Sequence, residues 1–506
     1  MRLLTSFFLL FFIVSCKQQK PTENLLGVVN ITISGKESAQ PHFEKGLLLL
    51  HSFEYEDARE AFQMAQKEDP KMPMAYWGEA MTYNHSLWQE QDYEAATTVL
   101  AKLDSLDLEK NTTEIEKDLI ESVHILYEPK TEKKQRDISY SNFMEGLYKK
   151  YPSNQEVAAF YALSLLGSVP EGRDDILYGK GAKIAKGILK ENPKHPGALH
   201  YLIHSYDDPD HATLALNAAN AYSKVAPDAS HALHMPSHIY VAMGMWDNVI
   251  ASNIASYQAS ITRMEQKKLD HDARGYHAFH WLQYGYLQKG NNEEAKKMVL
   301  DMRKYATETP SKRARVHLIF LKGTYLCETD EWTGEVANIP VNITDLNISV
   351  RSKYHFLEGM KAYKSGNTQK LDSILSIMDQ DQKRESFVAS EGSSKLCAGV
   401  TRDEATQMDL KGAEIRQNQL MALRAELDNN TKLAEEHFIK SIDIENSISY
   451  SYGPPDIQKP THELYADWLL AQKRNGDAAK QYELAQKNGP GRFRVLKGIE
   501  NTKLEM

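Results

Sequence analysis

The feature that most constrains how this chain folds is a spacing. Between residues 39 and 72, Gly46, Ala58, Phe62, Ala65 and Pro70 stand at intervals that suit two short helices meeting face to face. The small residues let helix backbones approach, and Phe62 fills the space they leave. Pro70 cannot continue a helix, because it lacks an N–H and clashes with the preceding turn. Weaker versions follow along the chain. Ala80 and Tyr83 come after 73, Ala215 lies between Pro193 and Pro227, and Gly244 comes after 230. Tyr286, Gly290 and Ala295 come after 276, and Gly359 and Gly366 after 352. Ala434 and Phe438 come after 415, and Ala478, Tyr482, Ala485 and Pro490 after 459. A unit repeated in this way cannot bury its apolar face alone and must stack on its neighbours. Lengthened connections are expected near 104–135, 168–178, 263–275, 328–350 and 390–410. The two-residue alternation of a strand is almost absent. Residues 336–350 are the main exception and read as a loop with some extended character. The expected class is all-α.

The register resembles the tetratricopeptide family, whose unit is a 34-residue helix–turn–helix. Gly46, Ala58, Phe62, Ala65 and Pro70 occupy motif positions 8, 20, 24, 27 and 32. The resemblance runs from about residue 39 to 492 and implies an α-solenoid. We divide it into N-terminal repeats (39–150), central histidine-rich repeats (151–310) and C-terminal repeats (311–506). In that family, positions 2, 5 and 9 of each unit lie on the first helix and face a concave, ligand-binding groove.

Of eighteen histidines, ten lie between 195 and 280, where even placement would put about three. In the register above, His200 and His204 take positions 5 and 9. His231, His234 and His238 take 2, 5 and 9, and His277 and His280 take 2 and 5. The resemblance thus implies seven imidazoles facing one groove. Residues three and four apart share a helix face, with Cβ atoms roughly 5–6 Å apart, and two imidazoles at i and i+4 can share one metal ion. His200, His204, His231, His234 and His238 form the candidate metal set, with His277 and His280 nearby. Neutral imidazole suits zinc, copper, iron or nickel. Asp207, Asp208, Asp210, Asp270 and Asp272 are close enough in sequence to add ligands or to orient the rings. The alternatives stay open: the groove could hold an acidic peptide or a sugar, or the histidines could fill helix contacts. Trp77, at groove position 5 of the second unit, is a candidate to stack on a sugar or a side chain; otherwise it fills the joint between units. Trp246 and Trp468 read as core.

His200-Tyr-Leu-Ile-His204, the run from His231 to His238 and Gly244-Met-Trp-Asp247 also resemble segments of secreted bacterial tetratricopeptide proteins. So does Tyr452-Gly-Pro-Pro455 with Lys459-Pro-Thr-His-Glu463. This second resemblance covers about residues 190–500 and implies a fold but no activity.

The N-terminus gives an address. Arg2 precedes an apolar run over residues 3–14 that closes on Ile13-Val14-Ser15-Cys16. The run is too short for a bilayer span and fits a secretory signal over residues 1–15. Its ending resembles the lipobox of bacterial lipoproteins, which implies that Cys16 is lipidated and becomes the new N-terminus. Lys17 in place of an aspartate implies the outer membrane. Residues 16–38 read as the lipidated cysteine and a tether. ATP, reduced nicotinamide and nucleic acid drop out as expected ligands, in keeping with the net charge of −9. Charged residues at 25% and hydrophobic ones at 42% are those of a globular chain. With Cys16 lipidated, only Cys327 and Cys397 remain. They can pair or not, and no disulfide framework is available.

No glycine-rich phosphate loop and no Gly-x-Ser-x-Gly elbow occurs. His462-Glu463 lacks a second histidine at zincin spacing, and Asp207-Asp208-Pro209-Asp210 reads as a turn. The expected function is therefore a lipid-anchored binding or scaffolding protein rather than an enzyme. Its partner would be an envelope protein or peptide, or a glycan. Outer-membrane lipoproteins of polysaccharide utilisation are similar in length, lipobox and helical repeats, which suggests an accessory role beside such a system. The alternative is a metal-dependent enzyme or metal-binding protein using the histidine cluster.

Overall fold

The structure, a computed structural model, describes residues 25–170, 172–387, 405–450 and 453–504. The signal segment, Cys16, residues 17–24, Tyr452 and Cys397, with its pairing to Cys327, lie outside the described residues. Helix–turn–helix units follow one another. Gln40–His51 pairs with Tyr55–Glu68, Pro73–Met81 with Tyr93–Asp104, and Glu114–Leu126 precedes Lys133–Lys150. Gln155–Gly167 pairs with Asp175–Glu191 and Pro196–Ser205 with Leu216–Val225. A broken helix, Ser230–His234 and Pro236–Ala242, packs on Trp246–Lys267. Tyr276–Gln288 then pairs with Asn292–Glu308. Lys312–Thr329, Ile348–Lys364, Thr368–Ser386, Gln407–Leu427, Thr431–Asn446, Thr461–Ala471, Asn475–Asn488 and Phe493–Leu504 complete the array. Among the described residues the only strands are Asn84–His85 and Glu90–Gln91, paired antiparallel with Asn84 opposite Gln91. The fold is an all-α array of tetratricopeptide-like units.

The residues that define the first unit act as their sizes require. A Cβ on Gly46 would stand 2.8 Å from the Phe62 ring, and one on Gly78 of the next unit 2.3 Å from the same ring. Phe62 is therefore clasped between two helices that only glycine lets so close. The helix carrying it stops at Glu68, two residues before Pro70.

Three expectations need correction. Residues 25–38 are not a loose tether. Leu26, Val29 and Ile33 are buried, and the Val28 N–H donates to the Lys194 carbonyl. The connection at 104–135 contains the helix Glu114–Leu126, begun by a capping box between Thr113 and Glu116. Trp77 faces no groove: it is 1% exposed and meets Phe160 edge-on at 5.4 Å. Trp246 and Trp468 are core, as expected, and residues 336–347 form a loop with one short 3-10 turn, after which helix Ile348–Lys364 begins.

Two large cores run along the chain, one from Leu26 to Tyr284 and one from Tyr276 to Val495. They meet at helix Tyr276–Gln288, which gives Trp281 and Tyr284 to the first and Phe279, Leu282 and Leu287 to the second. The chain also closes on itself. Arg263 donates to Asp57 across 206 residues, and the Trp246 indole donates to the Gly491 carbonyl at 2.8 Å.

Candidate metal centre

The histidines arrive on four short helices. Pro196, pre-set for a first helical turn, starts the helix carrying His200 and His204. Pro236 breaks the next helix after His234, so His231 and His234 lie before the break and His238 after it. His277 and His280 ride on Tyr276–Gln288. The groove they were expected to line is filled. His200, His204, His234 and His238 are buried, whereas His231, His277 and His280 keep some exposure.

The filling comes largely from the turn between the first two helices. Phe53, held at φ 56°, lays its ring on His200 at 4.3 Å and near His231 at 5.7 Å. A bulky residue in the left-handed region is uncommon and costs energy that the surrounding contacts must offset. The neighbouring Glu54 accepts from the backbone N–H of His231 at 2.9 Å and from the Ser230 hydroxyl at 2.8 Å, fixing that helix start.

Two trios of imidazoles result: His200, His204 and His231, then His234, His238 and His277. Within each, one ring nitrogen per residue lies within 4.8 Å of the others. Their hydrogen bonds fix the tautomers. His200 Nδ1–H donates to the His51 carbonyl at 2.8 Å, which can only accept. His234 Nδ1–H donates to Asn253 Oδ1 at 2.7 Å, because the amide nitrogen of Asn253 is already given to the Val249 carbonyl. His238 Nδ1–H donates to Asp207 at 2.5 Å. The nitrogen turned inward is thus Nε2 in all three. Nε2 of His200 faces that of His204 at 3.1 Å, and Nε2 of His234 faces that of His238 at 3.2 Å. Two inward Nε2 atoms at this distance require a proton or a cation between them, since two lone pairs repel. His231 Nε2 is buried with no hydrogen-bond partner among the described residues, an unsatisfied state that native interiors rarely tolerate.

The electrostatics favour unprotonated rings. Burial pushes the His234 imidazole down to about 3. Burial, and then the neighbouring imidazoles, hold His200, His231 and His277 well below the usual histidine range. Neutral imidazole is the metal-ligating form. The partners on the outer nitrogens, a backbone carbonyl, an amide and a carboxylate, are the kinds that orient metal-bound histidines.

A third group, His51, Glu156 and His195, was not legible in the repeat register, and it is closed. His51 Nδ1 meets the Tyr201 hydroxyl at 2.8 Å and its Nε2 meets Glu156 at 2.7 Å. His195 accepts from the Ala198 N–H at 3.1 Å and meets the other Glu156 oxygen at 3.2 Å. Burial alone would raise the Glu156 carboxyl, but His195 and His51 hold it down to about 2. Every ring nitrogen is used, so the group serves as a buttress that carries the His51 carbonyl to His200.

Of the other candidates, Asp207 joins the centre as a partner of His238. Asp208 is spent on its own turn, on His211 and on Arg173. Asp270 caps the short turn His271–Ala273, and Asp272 accepts from Ser311. Asp210 is exposed at the turn beside Asp208. His280 stands outside both trios, bonded to the Thr324 hydroxyl at 2.8 Å. Phe53, Glu54 and Asn253 escaped the sequence reading. Trp281 did too; it lies 4.5 Å from His238 and 4.8 Å from His234, centroid to centroid, and walls the second trio.

No family model matches the sequence, and no curated protein matches it. Solved structures similar to it include the tetratricopeptide domain of P58(IPK), at 14% identity over 92% of this chain and 98% of that one, with a TM-score of 0.23. Yeast Tom70 is 12% identical over 93% of this chain and 96% of that one, with a TM-score of 0.34. The human IFIT1 dimer with m7Gppp-AAAA is 11% identical over 90% and 94%, with a TM-score of 0.39. At these scores the likenesses carry no argument about ligand or activity.

Proposed function

We propose that this protein is a transition-metal-binding protein whose helical array exists to hold six histidines around metal. The observation that carries the reading is the pair His234 and His238. Both give Nδ1–H to an outer acceptor and turn Nε2 inward, 3.2 Å apart, in a buried site. Elemental mass spectrometry on the purified full-length chain tests it, beside a His200→Ala/His204→Ala/His234→Ala variant shown to be helical by circular dichroism. Near-stoichiometric zinc, copper or iron in the parent and none in the variant is the expected result. No metal in the parent, even after reconstitution, would return the cluster to hydrogen-bonded packing.

Residence at the outer membrane through lipidated Cys16 belongs to the same proposal. A Cys16→Ala chain should then move from the membrane to the soluble fraction. Binding of a peptide or glycan, with an accessory role in polysaccharide use, is the second reading. It is favoured by a cavity of about 270 Å³ lined by Trp246, Tyr284, Tyr450, Asn446, Asn488 and Arg492, where aromatic faces stand beside amide groups. Quenching of tryptophan fluorescence by oligosaccharides or peptides, lost in Trp246→Phe, tests it.

A further inference from the structure

The two trios are not separate sites. Rings of different trios lie about an ångström farther apart than rings within one, still in contact range: His204 to His238 is 5.7 Å and His231 to His234 is 6.2 Å, centroid to centroid. Within the trios the spacings are 4.8 Å for His200 and His204, 5.0 Å for His200 and His231, and 4.6 Å for His234 and His277. Ions held in both trios would be near enough to share one small bridging ligand.

The donor set restricts which ions these are. All six donors are imidazoles, and neither trio contains a carboxylate or a thiolate. Asp207 binds the outer nitrogen of His238 and so lies behind the donor ring. Two zinc ions would bring four positive charges into a buried site with little to balance them, which is costly. Two copper(I) ions would bring half of that charge. Imidazole suits copper, and copper(II), the oxidised form, stands at the top of the affinity order of divalent ions; three donors leave each ion a vacant side.

We propose that the two trios hold a pair of copper ions as one dinuclear centre that binds dioxygen between them. This rests on the metal-binding reading above. Each copper(I) gives one electron, dioxygen takes both and becomes a peroxide bridging two copper(II) ions, and release of dioxygen returns both electrons. No proton and no further reductant enters the balance. His231 and His277 are the partly exposed members of the two trios, while the His231 Nε2 atom itself is buried.

The full-length chain, loaded with copper(I) without air and then exposed to dioxygen, tests this. Two coppers per chain are expected, with uptake of one dioxygen per pair. A charge-transfer absorption should appear that vanishes under vacuum, and the coupled copper(II) pair should give no paramagnetic resonance signal. His277→Ala and His231→Ala, each kept helical, should retain about one copper and lose dioxygen uptake. One copper per parent chain, two coppers with the resonance of isolated copper(II), or no dioxygen uptake each overturns the dinuclear proposal while leaving metal binding intact. Absence of any bound metal overturns the metal-binding reading itself.

Discussion

The chemistry of single residues in this chain depends on what stands behind them. The sequence register placed His200, His204, His231, His234 and His238 near one another, because three- and four-residue spacings are local and survive any packing. It could not supply the partners that set which nitrogen points inward. Asn253 lies on the following helix, and the His51 carbonyl is 149 residues away. Trp77 misled for the same reason: its position in the unit suggested an open face, and packing against Phe160 closed it. The orienting role of Asn253 is directly testable. Asn253→Ala leaves the His234 Nδ1–H only the longer contact to the Ser237 hydroxyl, 3.4 Å away, and freer to change tautomer. Metal affinity, measured by competition with a chelator, should fall about ten- to a hundred-fold, as is usual for partners behind a metal ligand. The cost to stability should be about 1–3 kcal/mol. Unchanged affinity would remove Asn253 from the centre.

Whole elements were legible where small residues keep their spacing and obscure where they do not. The helices 40–51 and 55–68 could be read from Gly46, Phe62 and Pro70. Helix Glu114–Leu126 could not be read from the repeat, since it falls out of register, although Thr113 and Glu116 carried an N-terminal capping signature. The closing of the chain on itself was also hidden, because it depends on contacts distant in sequence, such as Arg263 with Asp57. Two helical glycines should respond oppositely to alanine. Gly78 abuts the Phe62 ring, whereas a Cβ at Gly146 would meet nothing within 4 Å. Gly78→Ala should destabilise by about 1–3 kcal/mol through overpacking. Gly146→Ala, inside helix Lys133–Lys150, should stabilise by about 0.5–1 kcal/mol by relieving the entropy cost of glycine. Urea midpoints measure both, and equal shifts at the two sites would contradict the tight clasp around Phe62.

For the molecule as a whole, an interior rich in neutral histidine makes stability a function of pH. Burial holds His280 and His317, both outside the two trios, down to about 3. In the unfolded chain they titrate near 6.5. Below that value the unfolded state binds protons that the folded state refuses, so stability is complete above about pH 6.5 and falls as the pH drops toward 3. Each such histidine contributes a slope of about 1.4 kcal/mol per pH unit through that window. His200, His231 and His277 are depressed in the same direction and steepen it. Glu156, held at about 2, adds a further loss below the ordinary carboxylate range. The metal-free chain should therefore melt at a clearly lower temperature at pH 5 than at pH 7.5. Bound metal adds stability by mass action, but protons compete for the same imidazoles. The difference between metal-loaded and metal-free melting temperatures should thus be largest at pH 7.5 and shrink toward pH 5. Calorimetric melts at pH 5, 6, 7 and 8, with and without chelator, measure both effects. A flat metal-free profile would contradict the buried neutral histidines, and a gap that persists undiminished at pH 5 would mean that the stabilising metal is held by something other than the two trios.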